Sequence, residues 1–138
     1  MIDQASPENR VCVRIHDESD VVVARRRSRE LAAQQGLSEA AAEALATAVT
    51  EIARNIVVHA ESGEIIFGAV ADATRRGAIV TARDTGSGIR DIEQAMQDGF
   101  STRGGLGFGL PGARRLVDEF EIESKVGTGT TITLRKWA

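Results

Sequence analysis

Four short clusters of carboxylate, amide, hydroxyl and glycine residues follow one another along this 138-residue chain. They are Glu51-Ile52-Ala53-Arg54-Asn55, Asp84-Thr85-Gly86-Ser87-Gly88, Gly104-Gly105-Leu106-Gly107-Phe108-Gly109 and Gly127-Thr128-Gly129-Thr130-Thr131. Short glycine patterns arise often by chance and usually mark ordinary turns. In this order they describe a nucleotide pocket.

Glu51 and Asn55 are one helical turn apart, so both side chains project from one helix face. An amide oxygen suits Mg²⁺, which keeps several waters and bridges phosphate oxygens, and a neighbouring carboxylate can accept a proton from an attacking hydroxyl. Read alone, the pair is equally a solvated polar face. Asp84 ends an apolar run and is followed by Gly86 and Gly88. A carboxylate there can accept a hydrogen bond from an exocyclic amine such as that of adenine, while glycines let the backbone approach a flat ring. An Asp-Gly turn after a strand is the plainer reading.

Six glycines between 99 and 112 make the third cluster the richest. It opens a helix whose free N–H groups and dipole favour phosphate. Gly107-Phe108-Gly109-Leu110-Pro111-Gly112 matches G-x-G-x-x-G, but no apolar strand precedes it, which removes the context that a dinucleotide fold requires. A P-loop fails as well, because the only lysines are Lys125 and Lys136 and neither follows a glycine run. Gly127-Thr128-Gly129-Thr130-Thr131 is a hairpin turn by itself; within the set, a threonine hydroxyl at the start of the last strand can hold Asp84, or a water beside it, against the base.

These clusters resemble the four nucleotide-binding boxes of the GHKL superfamily of ATPases and kinases, which contains gyrase, histidine kinases and MutL. The resemblance covers nearly the whole chain. Within the superfamily the chain is most similar to small bacterial serine/threonine switch kinases of the RsbT type, which share Asp98-Gly99-Phe100-Ser101-Thr102, Gly104-Gly105-Leu106-Gly107, Gly109-Leu110-Pro111-Gly112, Asp118-Glu119-Phe120 and Lys136-Trp137. Related anti-sigma-factor kinases share the boxes but generally lack the Gly-Leu-Pro-Gly run.

The resemblance implies a Bergerat ATP-binding fold, an α+β two-layer sandwich with a mixed, mostly antiparallel sheet. It implies Mg²⁺-ATP as phosphate donor and a serine or threonine of a STAS-domain protein as acceptor. Carried over position by position, Glu51 is the catalytic carboxylate, Asn55 the Mg²⁺ ligand, Asp84 the adenine anchor, and Gly86 and Gly88 the glycines of the base pocket. Gly104, Gly105, Leu106, Gly107, Phe108, Gly109 and Leu110 match the lid and the phosphate-facing helix start, and Thr130 matches the threonine of the base pocket. Kinases of this type phosphorylate STAS scaffold and antagonist proteins of the stressosome and, once released, activate a PP2C-type phosphatase. The rival expectation is an ATP-regulated switch that sequesters a sigma factor, docking it on the arginines Arg25, Arg26, Arg27 and Arg29.

Arg103, in the expected lid, can reach a γ-phosphate or remain solvated. His16 and His59 read as capping or surface residues. A complete histidine kinase would also need a phosphoacceptor helical hairpin, for which the chain has no length to spare.

A formal net charge of −3 and a sequence pI near 5.4 argue against a nucleic-acid binder, and the arginines are dispersed. Cys12 is the only cysteine, which excludes an internal disulfide or a zinc cluster built on thiolates. Asp3 and Glu8 stand where a signal peptide would be basic, and no apolar run reaches membrane-spanning length. The expectation is a cytoplasmic protein whose partners are proteins and small molecules, not nucleic acid or membrane.

The elements that must position these residues follow from periodicity. Alternation predicts a strand over 11–15, then a helix from Asp17 or Ser19 toward Gln35, stopped by Gly36. Ser38 caps a long helix ending near Ala60, with Leu45, Val49, Ile52 and Ile56 as its core stripe. Residues 63–71 and 78–84 predict a hairpin. A short helix over 91–97, a mobile loop over 98–107 and a helix over 110–119 with Pro111 in its first turn come next. Strands over 121–125 and 130–136 complete one domain over 11–138, an α+β sandwich, with the first ten residues expected to be disordered.

Overall fold

A computed structural model of the chain describes residues 10–86 and 109–138. The expected helix over 91–97 and loop over 98–107 lie outside the described residues. In chain order the elements are β1 (Val11–Ile15), α1 (Glu18–Gln34), α2 (Glu39–His59), β2 (Gly63–Ala71), β3 (Arg76–Asp84), α3 (Gly109–Leu116), β4 (Glu119–Lys125) and β5 (Gly129–Trp137).

Helix α1 starts where Asp17 accepts the N–H groups of Ser19 at 3.0 Å and Asp20 at 3.3 Å, while Asp20 accepts that of Asp17 at 3.2 Å. This reciprocal capping satisfies donors that the first turn leaves unpaired. The hydroxyl of Ser19, ahead of the backbone donors, holds the Asp17 carboxyl below its usual range. Helix α2 starts in the same way, with Ser38 Oγ accepting the N–H of Ala41 at 3.1 Å. Its stripe Leu45, Val49, Ile52 and Ile56 is fully buried, as the spacing requires.

Five strands form one sheet in the order β1-β2-β3-β5-β4. The resemblance implied an α+β sandwich with a mixed, mostly antiparallel sheet, and among the described strands every neighbouring pair is antiparallel. One face carries Val13, Ile15, Ile65, Phe67, Val80, Ala82, Ile132 and Leu134 and packs beneath the three helices in a single core. The other face carries the cross-strand row Arg14, Glu64, Arg83, Thr131 and Glu123. The Arg83 guanidinium lies 2.7 Å from Glu64 and is the main cause of that carboxyl's lowered pKa. At the edge, β4 places Glu119, Glu121 and Glu123 at alternate positions, which discourages pairing with a foreign strand.

The β2–β3 turn is closed by Asp72, which accepts the N–H groups of Thr74 and Arg75 and pairs with the Arg75 side chain at 2.7 Å. The adjacent Arg75 lowers the Asp72 carboxyl to about 2. Arg75 also lies over the Trp137 ring, 3.9 Å from its centroid. Asp118 accepts the backbone N–H of Trp137 at 2.7 Å and Glu119 accepts its indole N–H at 3.0 Å. The Asp118-Glu119-Phe120 and Lys136-Trp137 motifs therefore form a clasp between the start of β4 and the end of β5. That clasp also explains why α3 stops at Leu116 and β4 begins at Glu119, where periodicity alone carried the helix to 119.

The arginines of α1 belong partly to the helix seam. Arg25 pairs with Glu43 at 2.8 Å, Arg29 pairs with Glu39 at 3.2 Å and with Glu43, and Arg27 pairs with Glu30 at 2.8 Å. Arg54 likewise reaches Glu18 at 3.2 Å. The expected four-arginine docking face thus reduces to the exposed Arg26 and Arg27, with Val22, 61% exposed, on the same helix. Among the described residues no helix is long and apolar enough to cross a membrane.

The Ser38 cap sets where α2 begins and therefore the phase of its apolar stripe. Ser38→Ala is expected to cost about 1 kcal/mol and to lower Tm by about 3–5 °C, whereas Ser38→Asp should retain the parental melting curve in thermal circular dichroism.

Candidate nucleotide site

The base end of the site is a row of side chains across the sheet. Register places Ile15, Gly63, Asp84, Thr130 and Ser124 in line on β1, β2, β3, β5 and β4. Asp84 follows Ala82 by two residues, so its carboxylate stands on the helix-covered face but at the open end of the strand. There it accepts the N–H of Gly86 at 2.9 Å through Oδ1. Thr130, its neighbour on β5, is only 5% exposed. Its hydroxyl lies 2.7 Å from that of Ser124 on β4.

Close backbone approaches fix this row. A Cβ on Gly129, whose φ is +133°, would lie 2.1 Å from the Asp84 carbonyl oxygen. One on Gly63, across the strand on the other side, would meet the Arg83 carbonyl oxygen at 2.5 Å and Asp84 Cβ at 3.1 Å. Asp84 is therefore flanked by two backbones that only glycine allows so near. A cavity of about 650 Å³ opens here, lined by Gly63, Asp84, Ser124, Gly129 and Thr130 together with charged residues from the solvent-facing row.

Helix α2 joins this end to the start of α3. Its Ile56 packs over Gly63, and a Cβ on Gly86 would meet Ala60 Cβ at 2.8 Å and the His59 carbonyl oxygen at 3.0 Å. Just before Ile56 in the chain, the half-buried Asn55 and Glu51, one turn apart, occupy the same helix face. Glu51 Oε1 accepts the N–H of Gly109, the first residue of α3, at 3.1 Å. The side chains of Leu110 and Ala113 are buried in the core, which fixes that helix start. Leu110 can thus face a ligand only through its backbone. From Glu51 to Ala60 the helix advances about 13 Å, a span suited to an extended nucleotide lying alongside it.

Of the residues singled out in the sequence, Asp84, Gly86 and Thr130 gather beyond the C-terminal end of α2, whereas Glu51 and Asn55 lie on the C-terminal half of that helix, with Gly109 against Glu51. Glu51 and Asn55 do not line the cavity at the sheet end. Gly88, Arg103, Gly104, Gly105, Leu106, Gly107 and Phe108 lie outside the described residues. Sequence reading missed Gly63 and Ser124. Gly63 opens a strand and would have been visible as a glycine where a side chain is usual; Ser124 has no local signal, because its role comes from register with Thr130.

Among the described residues the Asn55 amide makes no hydrogen bond, and no group of three or more His, Cys, Asp and Glu side chains converges as a metal cage. A single hard oxygen donor beside a carboxylate fits Mg²⁺ of the kind held mainly by substrate phosphates. Gly129→Ala is expected to cost about 2 kcal/mol in stability and, by displacing Asp84, to weaken adenine-nucleotide binding about tenfold or more; thermal melts and titration calorimetry measure the two effects separately.

Comparison with known proteins identifies the family. Residues 8–136 match the family described as Histidine kinase-like ATPase domain. The chain is 47% identical over 126 residues to Serine/threonine-protein kinase RsbT of Bacillus subtilis strain 168, covering 91% of this chain and 95% of that protein. It is 35% identical over 97 residues to an Anti-sigma F factor of Thermoanaerobacter sp. strain X514, covering 66% of each. The similarity to an Anti-sigma F factor of Geobacillus stearothermophilus is 34% over 99 residues, covering 65% of each. The family match over residues 8–136 and the similarity over nearly the full length show that this chain belongs to the histidine kinase-like ATPase family and, within it, to the RsbT-type serine/threonine kinases.

Proposed function

We propose that residues 11–138 act as one Mg²⁺-ATP-dependent kinase domain that transfers phosphate to a serine or threonine of STAS-domain antagonist or scaffold proteins. In a partner-switching circuit, the released kinase would then activate a PP2C-type phosphatase. The observation that carries this reading is the 3.1 Å contact between Glu51 and the Gly109 N–H, which brings a carboxylate to the helix start where phosphate is favoured.

In this mechanism Asp84 accepts the amine of adenine and Thr130 supports it from the neighbouring strand. The backbone at the start of α3 faces the phosphates, and Asn55 Oδ1 is the protein ligand available to Mg²⁺. When bound, the ion supplies charge neutralisation across the phosphate oxygens. Glu51 has two carboxylate oxygens: Oε1 holds Gly109, and Oε2 is left to orient the acceptor hydroxyl and take its proton. The acceptor oxygen forms its bond to the γ-phosphorus as the bond from that phosphorus to the β–γ bridging oxygen breaks, and ADP leaves. Such transfer depends chiefly on positioning and electrostatics.

Similarity to the anti-sigma F factors favours a second reading, in which nucleotide binding regulates sequestration of a sigma factor. Arg26 and Val22 on α1 remain available for such a partner. Capture of a sigma factor without phosphate transfer to any STAS protein would favour it.

The test mixes the purified protein, labelled Mg²⁺-ATP and candidate STAS-domain proteins. Label should appear on a STAS serine or threonine and fall by about 100-fold or more in Glu51→Ala, with nucleotide binding largely kept. Glu51→Gln retains an oxygen for the Gly109 N–H but cannot take a proton, so it should melt like the parent and still fail to transfer. Parental transfer by Glu51→Gln would exclude Glu51 as the base.

A further inference from the structure

Three large apolar side chains are exposed among the described residues: Val22 on α1, Val58 on α2 and Val126 in the turn between β4 and β5. An exposed valine gives a helix no burial, and its branched Cβ stiffens the side chain, so alanine or lysine would serve the helix better. Scattered singly, such residues need no explanation. Val22 and Val58, however, fall on one strip. Glu18 pairs with Arg54 at 3.2 Å, and farther along α1 Arg25 reaches Thr50 and Glu43, which lie earlier on α2. The two helices therefore run antiparallel. Val22 follows Glu18 by one turn and Val58 follows Arg54 by one turn, so the valines extend from the ion pair in opposite directions, each by about 6 Å along its helix.

The strip adjoins Glu51. Glu51, Arg54 and Val58 are spaced by three and four residues and share one side of α2. Arg26, one turn beyond Val22, is exposed and makes no hydrogen bond or ion pair among the described residues. The Glu18–Arg54 pair neutralises itself, so the strip is apolar at two points and positively charged at one end. We infer that this strip docks the protein whose hydroxyl receives phosphate, through two apolar side chains about 12 Å apart and a carboxylate set beside Arg26. This inference rests on the proposed kinase function and deepens it by naming where the acceptor is held. A helix surface, unlike a cleft, suits a protein and not a small molecule, and its positive end calls for an acidic partner surface. A partner seated across Val22 and Val58 lies over the flank of Glu51, so docking brings its serine or threonine to the carboxylate that must take the proton.

The experiment is steady-state transfer from Mg²⁺-ATP, by the full chain, to the STAS-domain protein that the parent labels. Val22→Ala combined with Val58→Ala should raise the acceptor KM about tenfold while kcat and ADP affinity stay parental. This variant should melt no lower than the parent, because alanine favours a helix. Arg26→Glu should also raise the acceptor KM and weaken its dependence on ionic strength. Val22→Ile combined with Val58→Ile should keep the parental KM, as should Val126→Ala. An unchanged acceptor KM in the paired alanine variant, or a loss that falls on kcat or on ADP binding instead, overturns the docking role while the kinase reading stands. A changed oligomeric state in that variant with an unchanged KM assigns the strip to a second copy of the chain and overturns it as well. If the parent labels no STAS-domain protein, the proposed function fails and this inference fails with it.

Discussion

The contact between the Gly129 backbone and the Asp84 carbonyl is the constraint on which the site depends. With room for no side chain at Gly129, β5 presses against the end of β3 and brings Thr130 level with Asp84. Gly63 does the same from β2. Asp84 is thus located by strand backbone on both sides, and among the described residues its carboxylate carries only the short-range duty of accepting the Gly86 N–H. Side chains mounted on strands within a sheet are held more precisely than those on loops. A carboxylate placed in this way is available to a ligand without having to be freed from an ion pair.

Helix α2 turns that local order into a site of the right length. Its apolar stripe is locked to the sheet by Leu45, Val49, Ile52 and Ile56, so its polar face cannot rotate independently of the core. Ile56 and Ala60 touch the glycines around Asp84, while Glu51 reaches α3. The two ends of the candidate site are therefore not separate modules. They are two points on one rigid helix, whose phase begins at the Ser38 cap and whose side is braced by the ion pairs of Arg25 and Arg29 with α2.

Much of this was legible in the sequence because it is periodic or local. The stripe of α2 and the alternation of β1 need only neighbouring residues to be recognised, and the ordered clusters were enough to indicate the family. What was not legible depends on pairing between distant segments. Ser124 acquires meaning only when β4 lies beside β5 in one register, and Gly63 only when β2 lies beside Asp84. The arginines of α1 looked like an exposed face because the glutamates that engage Arg25 and Arg29 lie on the next helix. The end of α3 was overrun because the draw of Asp118 and Glu119 toward Trp137, about twenty residues away, has no local signature.

Glu51 joins structure and chemistry in a way that its spacing from Asn55 did not reveal. A carboxylate on the first N–H of a helix is an ordinary stabilising cap, and here it ties the start of α3 to α2. Leu110 and Ala113 anchor α3 in the core, and Ile52 and Ile56 anchor α2, so neither partner of that contact can shift without disturbing packing. Oε1 alone makes the tie, and the carboxylate is thereby held one helical turn from Asn55 by contacts within the protein.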